Sequence, residues 1–174
     1  MVIDLEEKIK NLKTENCDIC EHFSVILKYG QQCEHITEFG VRWITSTWGW
    51  LSSKPKKLVC YDIEDPSKWG ANIVDVYDTA KEINVDFSFI QENSLNIEIE
   101  ETDLLFIDTE HTYEQLSKEL KLHGNKSRKF LAFHDTAMYP LRKAVEEFIN
   151  ENQHWFIKED HINNNGFMVL KRSQ

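Results

Sequence analysis

The chain alternates short apolar segments with longer amphipathic ones from residue 35 onward, and this alternation constrains its fold more than any other feature. Apolar runs of strand length separated by amphipathic runs of helix length form a mostly parallel sheet with helices on both faces. The last two apolar runs have no helix between them, so one of them must run antiparallel or lie at the sheet edge. We therefore predict an α/β fold with a doubly wound, mostly parallel sheet of about seven strands and an antiparallel strand near the C-terminus.

The same pattern gives bounds for the predicted elements. Strands are predicted at His35–Val41, Lys57–Ile63, Asp86–Gln91, Asp103–Asp108, Lys129–His134, Trp155–Lys158 and Phe167–Lys171. Helices are predicted at Thr45–Ser53, Ile73–Ile83, Tyr113–His123 and Leu141–Asn150. Residues 1–32 place apolar side chains on one helical face, which predicts a helical cap over one sheet edge. We predict a single domain over residues 1–174, in which this cap (1–32) precedes the α/β core (33–174).

The charge and hydropathy of the chain exclude several classes of partner. The formal net charge is -10 at pH 7, and an acidic surface repels phosphate backbones, so we expect no nucleic-acid partner. No apolar run approaches the roughly 18 residues of a membrane-spanning helix, so we expect no membrane association. The opening segment MVIDLEEKIKNL carries acids and lacks the apolar core of a secretion signal, which favours a cytoplasmic location. These features leave the oligomeric state open.

Four cysteines allow two interpretations. Cys17 and Cys20 form a C-x-x-C pair, with Cys33 nearby and Cys60 inside an apolar run. A zinc site would need a second closely spaced pair of ligands, and Cys33 with His35 is a poor copy of one. Free, buried cysteines are common in proteins, so we favour free thiols over zinc.

Polar or charged residues lie at the carboxyl end of each of the first five predicted strands. In an open parallel sheet, ligands bind beyond the carboxyl ends of the strands, so these residues are the candidate site. Helix caps and turns also favour Asp, Asn, Ser and Thr, and a purely structural role is the alternative. The residues are Glu38 and Gly40, then Asp62, then Asn93 and Ser94, then Asp108 with His111, and finally His134, Asp135 and Thr136.

The spacing of these residues indicates a cofactor that carries adenosine without a diphosphate. Gly40 allows a ligand to approach the backbone closely, and Asp62 follows at about the spacing at which an acid meets ribose hydroxyls. A dinucleotide-binding turn needs G-x-G-x-x-G, and only Gly40 is present here. A cofactor with ribose and adenine but no phosphate fits better.

Taken together, these motifs resemble those of the class I S-adenosylmethionine (SAM)-dependent methyltransferases, which have a Rossmann-like fold. The resemblance covers roughly residues 33–172 and is greatest to a small family with D-x-x-H and HDT motifs. This family is related to metal-assisted O-methyltransferases of the catechol, caffeoyl-CoA and antibiotic-sugar kinds. The resemblance depends on the combined series ITEFGVRWITST, LVCYDIED, FIQENSLN, DLLFIDTEHTYEQL and FLAFHDT.

The resemblance implies a role for each motif residue. The cofactor-binding residues would be Glu38, Gly40 and Ser46 in the first turn, Asp62 at the ribose, Asn93 and Ser94 near adenine, and Asp108. A divalent cation, Mg²⁺ or another, would be held by Asp108, Asp135 and His134. His111 and Asp108 would be catalytic, with His111 as the general base, although a helix-start histidine bonded to backbone or to Glu114 is the structural alternative. The implied reaction is O-methylation of a hydroxyl on a small molecule or sugar.

Ile44 departs from the family pattern, because relatives have a second glycine near this position. A β-branched residue resists positive φ, so we expect a loop of different shape or weaker cofactor binding. Two alternatives to the methyltransferase therefore stay open: a catalytically impaired SAM-binding or interaction module, and a metal-dependent hydrolase built on Asp108, His111, His134 and Asp135. The hydrolase would leave Asp62 and Asn93 without a role, so it ranks last.

Overall fold

The structure is a computed structural model that describes residues 2–15 and 17–173. Within these residues the helices are α1 (Leu5–Leu12), α2 (Phe23–Gly30), α3 (Thr45–Ser52), α4 (Ile73–Glu82), α5 (Tyr113–His123) and α6 (Leu141–Glu151). The strands are β1 (His35–Phe39), β2 (Lys57–Asp62), β3 (Asp86–Gln91), β4 (Thr102–Ile107), β5 (Ser127–His134), β6 (Trp155–His161) and β7 (Phe167–Arg172). Short 3₁₀ turns connect several of them.

The strands form one sheet in the order β3-β2-β1-β4-β5-β7-β6. Strands β1 to β5 run parallel to one another, whereas β7 pairs antiparallel with both β5 and β6. The predicted fold class, including the antiparallel strand near the C-terminus, is confirmed. The chain order reverses between β1 and β4, and a crevice forms beyond the carboxyl ends of strands at such a reversal.

Strand β4 shows why the sheet is buried on both faces. Leu104 and Phe106 belong to one apolar cluster, and Leu105 and Ile107 belong to another. Alternate side chains of a strand point to opposite faces, so each cluster lies on its own side of the sheet. Burial of each such side chain contributes about 1.5–3 kcal/mol. This packing fixes the strand ends, and hence the candidate site, in a rigid frame.

Helices α1 and α2 pack against α3, and α2 also reaches the edge strand β6, where the Tyr29 hydroxyl donates a hydrogen bond to Glu159 Oε1 at 2.7 Å. Their apolar side chains, including Ile9, Phe23 and Ile26, join the cluster that also contains Phe106. The N-terminal segment therefore covers one face of the sheet, and its division from the α/β core stays a prediction. No helix in the described part of the chain is long and apolar enough to cross a membrane.

Strand bounds differ from the prediction where tertiary pairing or a turn intervenes. Strand β1 ends at Phe39, two residues early, because Gly40 takes a φ of 86° and turns the chain out of the sheet. Strand β6 continues to His161, because it pairs with β7 as far as the His161–Phe167 partners. Its outer edge is exposed, so the apolar run alone did not show its length.

Candidate active site

A cavity of about 430 Å³ opens at the carboxyl ends of β1 to β4. Five residues predicted to bind the cofactor line this cavity, although their sequence positions are far apart. They are Gly40, Asp62, Asn93, Ser94 and Asp108. The topology accounts for this convergence, because the ends of parallel strands meet at one edge of the sheet.

The loop after β1 forms one wall of this cavity and passes very close to β4. A Cβ on Gly40 would lie 1.9 Å from the carbonyl oxygen of Asp108, so only glycine fits there. Asp62 holds the loop, because its Oδ2 accepts hydrogen bonds from the backbone N–H groups of Val41 at 2.7 Å and Arg42 at 3.0 Å.

Ile44 takes the conformation that a glycine would take at this place, with φ of 57° and ψ of 18°. The β-branched side chain therefore does not keep Ile44 out of the left-handed region, and weaker cofactor binding stays a prediction. Its side chain is buried in the core, and we infer that this packing offsets the cost of roughly 1–2 kcal/mol for a left-handed L-residue. At this position the buried side chain therefore stabilises the fold, whereas the left-handed backbone destabilises it.

Glu38 and Ser46 lie behind the loop. The Glu38 carboxylate is fully buried and accepts hydrogen bonds from Ser46 Oγ at 2.5 Å, Thr47 Oγ1 at 2.7 Å and Cys60 Sγ at 3.0 Å. Burial raises the pKa of Glu38 to about 7, although these hydrogen bonds oppose the shift. Glu38 is outside the lining of the cavity and is bonded to Ser46 and Thr47 in the first turn of α3.

A second cavity, of about 150 Å³, adjoins the first. Gly40, Arg42, Asp108 and Thr109 line both and form their common border. The rest of the second lining includes the predicted metal-binding or catalytic residues His111, His134 and Asp135. Cys17 and Asp18 of the N-terminal segment and the predicted cofactor-binding residue Ser46 also line it.

Two histidines and two aspartates form a compact charged cluster in this second cavity. His111 Nε2 lies 2.7 Å from Asp135 Oδ2 and 3.4 Å from Asp108 Oδ1. His134 Nδ1 lies 3.4 Å from Asp135 Oδ2 and 3.6 Å from Asp108 Oδ2. These contacts, rather than a backbone group or Glu114, are the partners of the His111 ring.

The charges of the cluster stabilise one another. Hydrogen bonds to Asp108 and Asp135 raise the pKa of His111 to about 9. Burial disfavours the charged form of His134, but its contacts with the same two carboxylates outweigh burial and raise its pKa to about 10. Burial opposes ionisation of Asp135 and Asp108, and the two histidines nevertheless lower both pKa values. At neutral pH the cluster therefore holds two imidazolium and two carboxylate groups.

Asp135 has an unfavourable backbone conformation, and one of its carboxylate oxygens has no hydrogen-bond partner. Its φ is 62°, in the left-handed region that costs a non-glycine residue free energy. Its Oδ1 is buried and has no hydrogen-bond partner, and the same is true of His134 Nε2. Such orphaned buried polar atoms are rare in folded proteins and need an explanation.

The ligand atoms of the cluster are close enough to share an ion. Those of Asp108, His111 and Asp135 all lie within 4.8 Å of one another, and those of Asp18, His134 and Asp135 do likewise. Carboxylate oxygens with imidazole nitrogens are donors that divalent cations such as Mg²⁺ or Mn²⁺ accept.

The cysteines depart from the prediction at one pair. Cys17 and Cys20 form a disulfide, so the favoured interpretation of these two as free thiols is wrong, and the disulfide also removes them as zinc ligands. Residues i and i+3 were close enough to pair because the chain turns between them. Cys33 and Cys60 are free and buried, as expected.

Solved structures share this architecture, although no protein-family model and no curated protein matches the sequence. The O-methyltransferase TomG from Streptomyces achromogenes, involved in tomaymycin synthesis and solved with SAM, superposes with a TM-score of 0.64 at 13% identity, over 100% of this chain and 92% of that one. An O-methyltransferase from Bacillus cereus, solved with S-adenosylhomocysteine (SAH), gives 0.62 at 16% identity, over 97% and 90%. A ribosomal-protein methylase from Lactobacillus delbrueckii gives 0.61 at 14% identity, over 88% and 79%.

The chain has the fold of SAM-dependent methyltransferases. Within this methyltransferase fold, the larger cavity lies at the reversal of strand order, and the charged cluster lies beside it at the ends of β4 and β5.

Sequence reasoning missed a buried carboxylate that supports the larger cavity. Glu119 of α5 is fully buried and accepts hydrogen bonds from Ser94 Oγ at 2.6 Å, Thr109 Oγ1 at 2.9 Å and Gln115 Nε2 at 3.0 Å. Ser94 and Thr109 both line the cavity. The available signal was an acid on the apolar face of a predicted helix, next to Leu120. A carboxylate is rarely buried on such a face unless it is paired, so its position indicates hydrogen-bond donors nearby.

Proposed function

We propose that this protein is a SAM-dependent methyltransferase that methylates a hydroxyl group of a small molecule or sugar with the assistance of a divalent cation. The observation that carries the proposal is the common border of the two cavities at Gly40, Arg42, Asp108 and Thr109. Methyl transfer requires donor and acceptor to lie in line and in contact. A donor in the larger cavity and an acceptor in the smaller one would meet at this border.

The larger cavity fits the adenosine part of SAM. A carboxylate has about four acceptor positions, and Asp62 uses three of them for the backbone N–H groups of Val41, Arg42 and Glu64. The remaining position is available to a ribose hydroxyl. Asn93 and Ser94 border the same cavity further along, where the adenine would lie. The single glycine at Gly40 leaves no cradle for a diphosphate.

The smaller cavity fits a divalent cation. The buried, unpartnered Oδ1 of Asp135 gives the donor set unused capacity, and Asp108 and His134 lie beside it. Asp108, Asp135 and His134 would hold the ion, and His134 would release its proton to solvent as the cation binds, since only the neutral imidazole is a ligand. When bound, the cation supplies a Lewis acid that lowers the pKa of an acceptor hydroxyl and offsets the negative charge of the aspartates.

Proton removal would fall to His111. SAM, when bound, supplies a methyl group on a positively charged sulfur, so that the carbon–sulfur bond breaks, a carbon–oxygen bond forms and the hydroxyl proton must leave. When no cation is bound, the negative charges of Asp108 and Asp135 keep His111 protonated at neutral pH. Once their charge is offset, the imidazole loses this proton more readily and can accept the one from the hydroxyl. The His111 ring lies against Tyr139, with ring centroids 4.6 Å apart, which limits its rotation.

The acceptor is proposed as a small molecule because of charge and space. The net charge of -10 disfavours RNA, and the acceptor cavity of about 150 Å³ has room for a small group only. Solved structures with this fold also include a ribosomal-protein methylase. A substrate screen must therefore include macromolecular acceptors for comparison.

Calorimetric titration with SAM and SAH tests the function directly. We expect wild-type protein to bind both, and Asp62→Asn to bind roughly 10- to 100-fold more weakly, as for a lost charge-assisted hydrogen bond. Asp65→Asn is the matched control, because Asp65 caps the next turn and lies outside the cavity lining. Absence of SAM binding by the wild type overturns the proposal. A screen for SAH release over hydroxylated small molecules, with RNA and protein as comparison substrates, then assigns the acceptor.

A further inference from the structure

The disulfide-closed turn at Cys17–Cys20 reaches into the second cavity. Cys17 and Asp18 both line that cavity. The loop between β6 and β7 anchors the turn, because Asn164 Nδ2 donates a hydrogen bond to the Cys17 carbonyl oxygen at 3.3 Å and His22 Nε2 lies 3.3 Å from the Asn164 carbonyl oxygen. The disulfide and these contacts restrict the turn, so Asp18 is presented to the cavity in a defined position.

Asp18 lies within reach of the two side chains that have unused polar atoms. One ligand atom each from Asp18, His134 and Asp135 lie within 4.8 Å of one another. Asp135 Oδ1 and His134 Nε2 are buried without a hydrogen-bond partner, on side chains that are only 2% exposed. Asp135 also belongs to the group formed with Asp108 and His111. It is therefore the point at which the strand ends and the N-terminal segment meet.

We propose that Asp18 is a ligand of the divalent cation at Asp135 and that the Cys17–Cys20 disulfide holds it there. The proposal rests on the proposed function, because the cation is the one assigned to Asp108, Asp135 and His134. A third carboxylate makes the donor set rich in oxygen, which suits Mg²⁺ or Mn²⁺. The N-terminal segment then completes the metal site, and cation affinity depends on an intact disulfide.

Titration of the full chain with Mn²⁺, followed by calorimetry, tests the role of Asp18. We expect Asp18→Asn to raise the Kd roughly 10- to 100-fold, the loss that follows removal of a group around a metal site. Asp18 and Glu15 are both exposed, but Glu15 does not line the second cavity. Glu15→Gln therefore removes the same charge from the same segment and should change the Kd less than about twofold, since a charge away from the site is screened. Equal effects of the two variants overturn the proposal.

A double-mutant cycle tests the role of the disulfide. Replacing both cysteines, as Cys17→Ser with Cys20→Ser, should raise the Kd several-fold in the wild-type background and leave it unchanged in the Asp18→Asn background, because both changes act through one ligand. An equal rise in both backgrounds would show that the disulfide acts on the fold and not through Asp18. Thermal unfolding of each variant separates loss of folding from loss of the ligand.

The outcomes distinguish this proposal from the proposed function. If Asp108→Asn and Asp135→Asn weaken Mn²⁺ binding but Asp18→Asn does not, only the role of Asp18 is wrong. If wild-type protein binds no Mn²⁺, both the role of Asp18 as a ligand and the proposed cation site are wrong. SAM binding requires neither Asp18 nor the cation, so titration with SAM still decides whether the protein binds the methyl donor.

Discussion

Ile44 offers a direct test of whether the cofactor loop carries backbone strain. Its φ of 57° lies in the left-handed region, while its side chain is 5% exposed. Ile44→Ala keeps the unfavourable conformation and removes the packing, which should cost about 2–5 kcal/mol of unfolding free energy. Ile44→Gly removes the packing but also the strain of roughly 1–2 kcal/mol. The comparison between these two variants isolates the backbone contribution.

The control is Glu146, an exposed residue in the middle of helix α6. There Gly should be less stable than Ala by about 0.5–1 kcal/mol, since glycine loses more conformational freedom on folding. At position 44 this order should vanish or reverse, with a shift of about 1–2 kcal/mol relative to the control. Urea denaturation of the four variants measures all the required free energies.

One result would refute this reasoning. If Gly is less stable than Ala by the same amount at positions 44 and 146, the backbone at Ile44 carries no strain. Glycine adopts the left-handed conformation without strain, so the loop of Ile44→Gly should keep its shape. We therefore expect Ile44→Gly to bind SAM at least as strongly as Ile44→Ala does. Weaker binding by the glycine variant would mean that the isoleucine holds the loop in its functional form.

Two further predictions concern the reaction and the cofactor cavity. As a general base, His111 must be neutral, and its raised pKa of about 9 means that turnover should rise with pH through that value without added cation and through a lower value with saturating Mg²⁺. His111→Ala should reduce turnover by roughly 100- to 10,000-fold with little change in SAM affinity; an unchanged rate, or an NMR titration of His111 that Mg²⁺ does not shift, would contradict this role. Glu119→Ala leaves the hydroxyls of Ser94 and Thr109 without their acceptor, so it should lower the unfolding free energy by about 1–3 kcal/mol and weaken SAM binding. Glu114→Ala, an exposed change on the same helix, should do neither, and equal losses from both variants would show that the buried network is unimportant.

The sequence by itself determined the fold class and five of the residues that line the larger cavity, namely Gly40, Asp62, Asn93, Ser94 and Asp108. Local periodicity fixes which segments become strands, as for the apolar run that forms β4, and the alternation with helices makes the strands parallel. Once the strands are parallel, Asp62, Asn93 and Asp108 must lie at one edge of the sheet. The single-domain organisation, the cytoplasmic location and the role of each site residue stay predictions.

Tertiary structure alone decided the contacts between distant parts of the chain. Local propensity placed Ile44 outside the left-handed region, yet packing of its side chain outweighs that preference. Nothing near Asp18 in the sequence indicates that it lies beside Asp135, because the contact depends on how the N-terminal segment and the β6–β7 loop pack over the sheet. The buried position of Glu119 has the same origin, whereas the Cys17–Cys20 disulfide depends on a local turn between the two cysteines. Sequence periodicity encodes which face of an element is buried, whereas the partners of a polar side chain depend on which elements meet there.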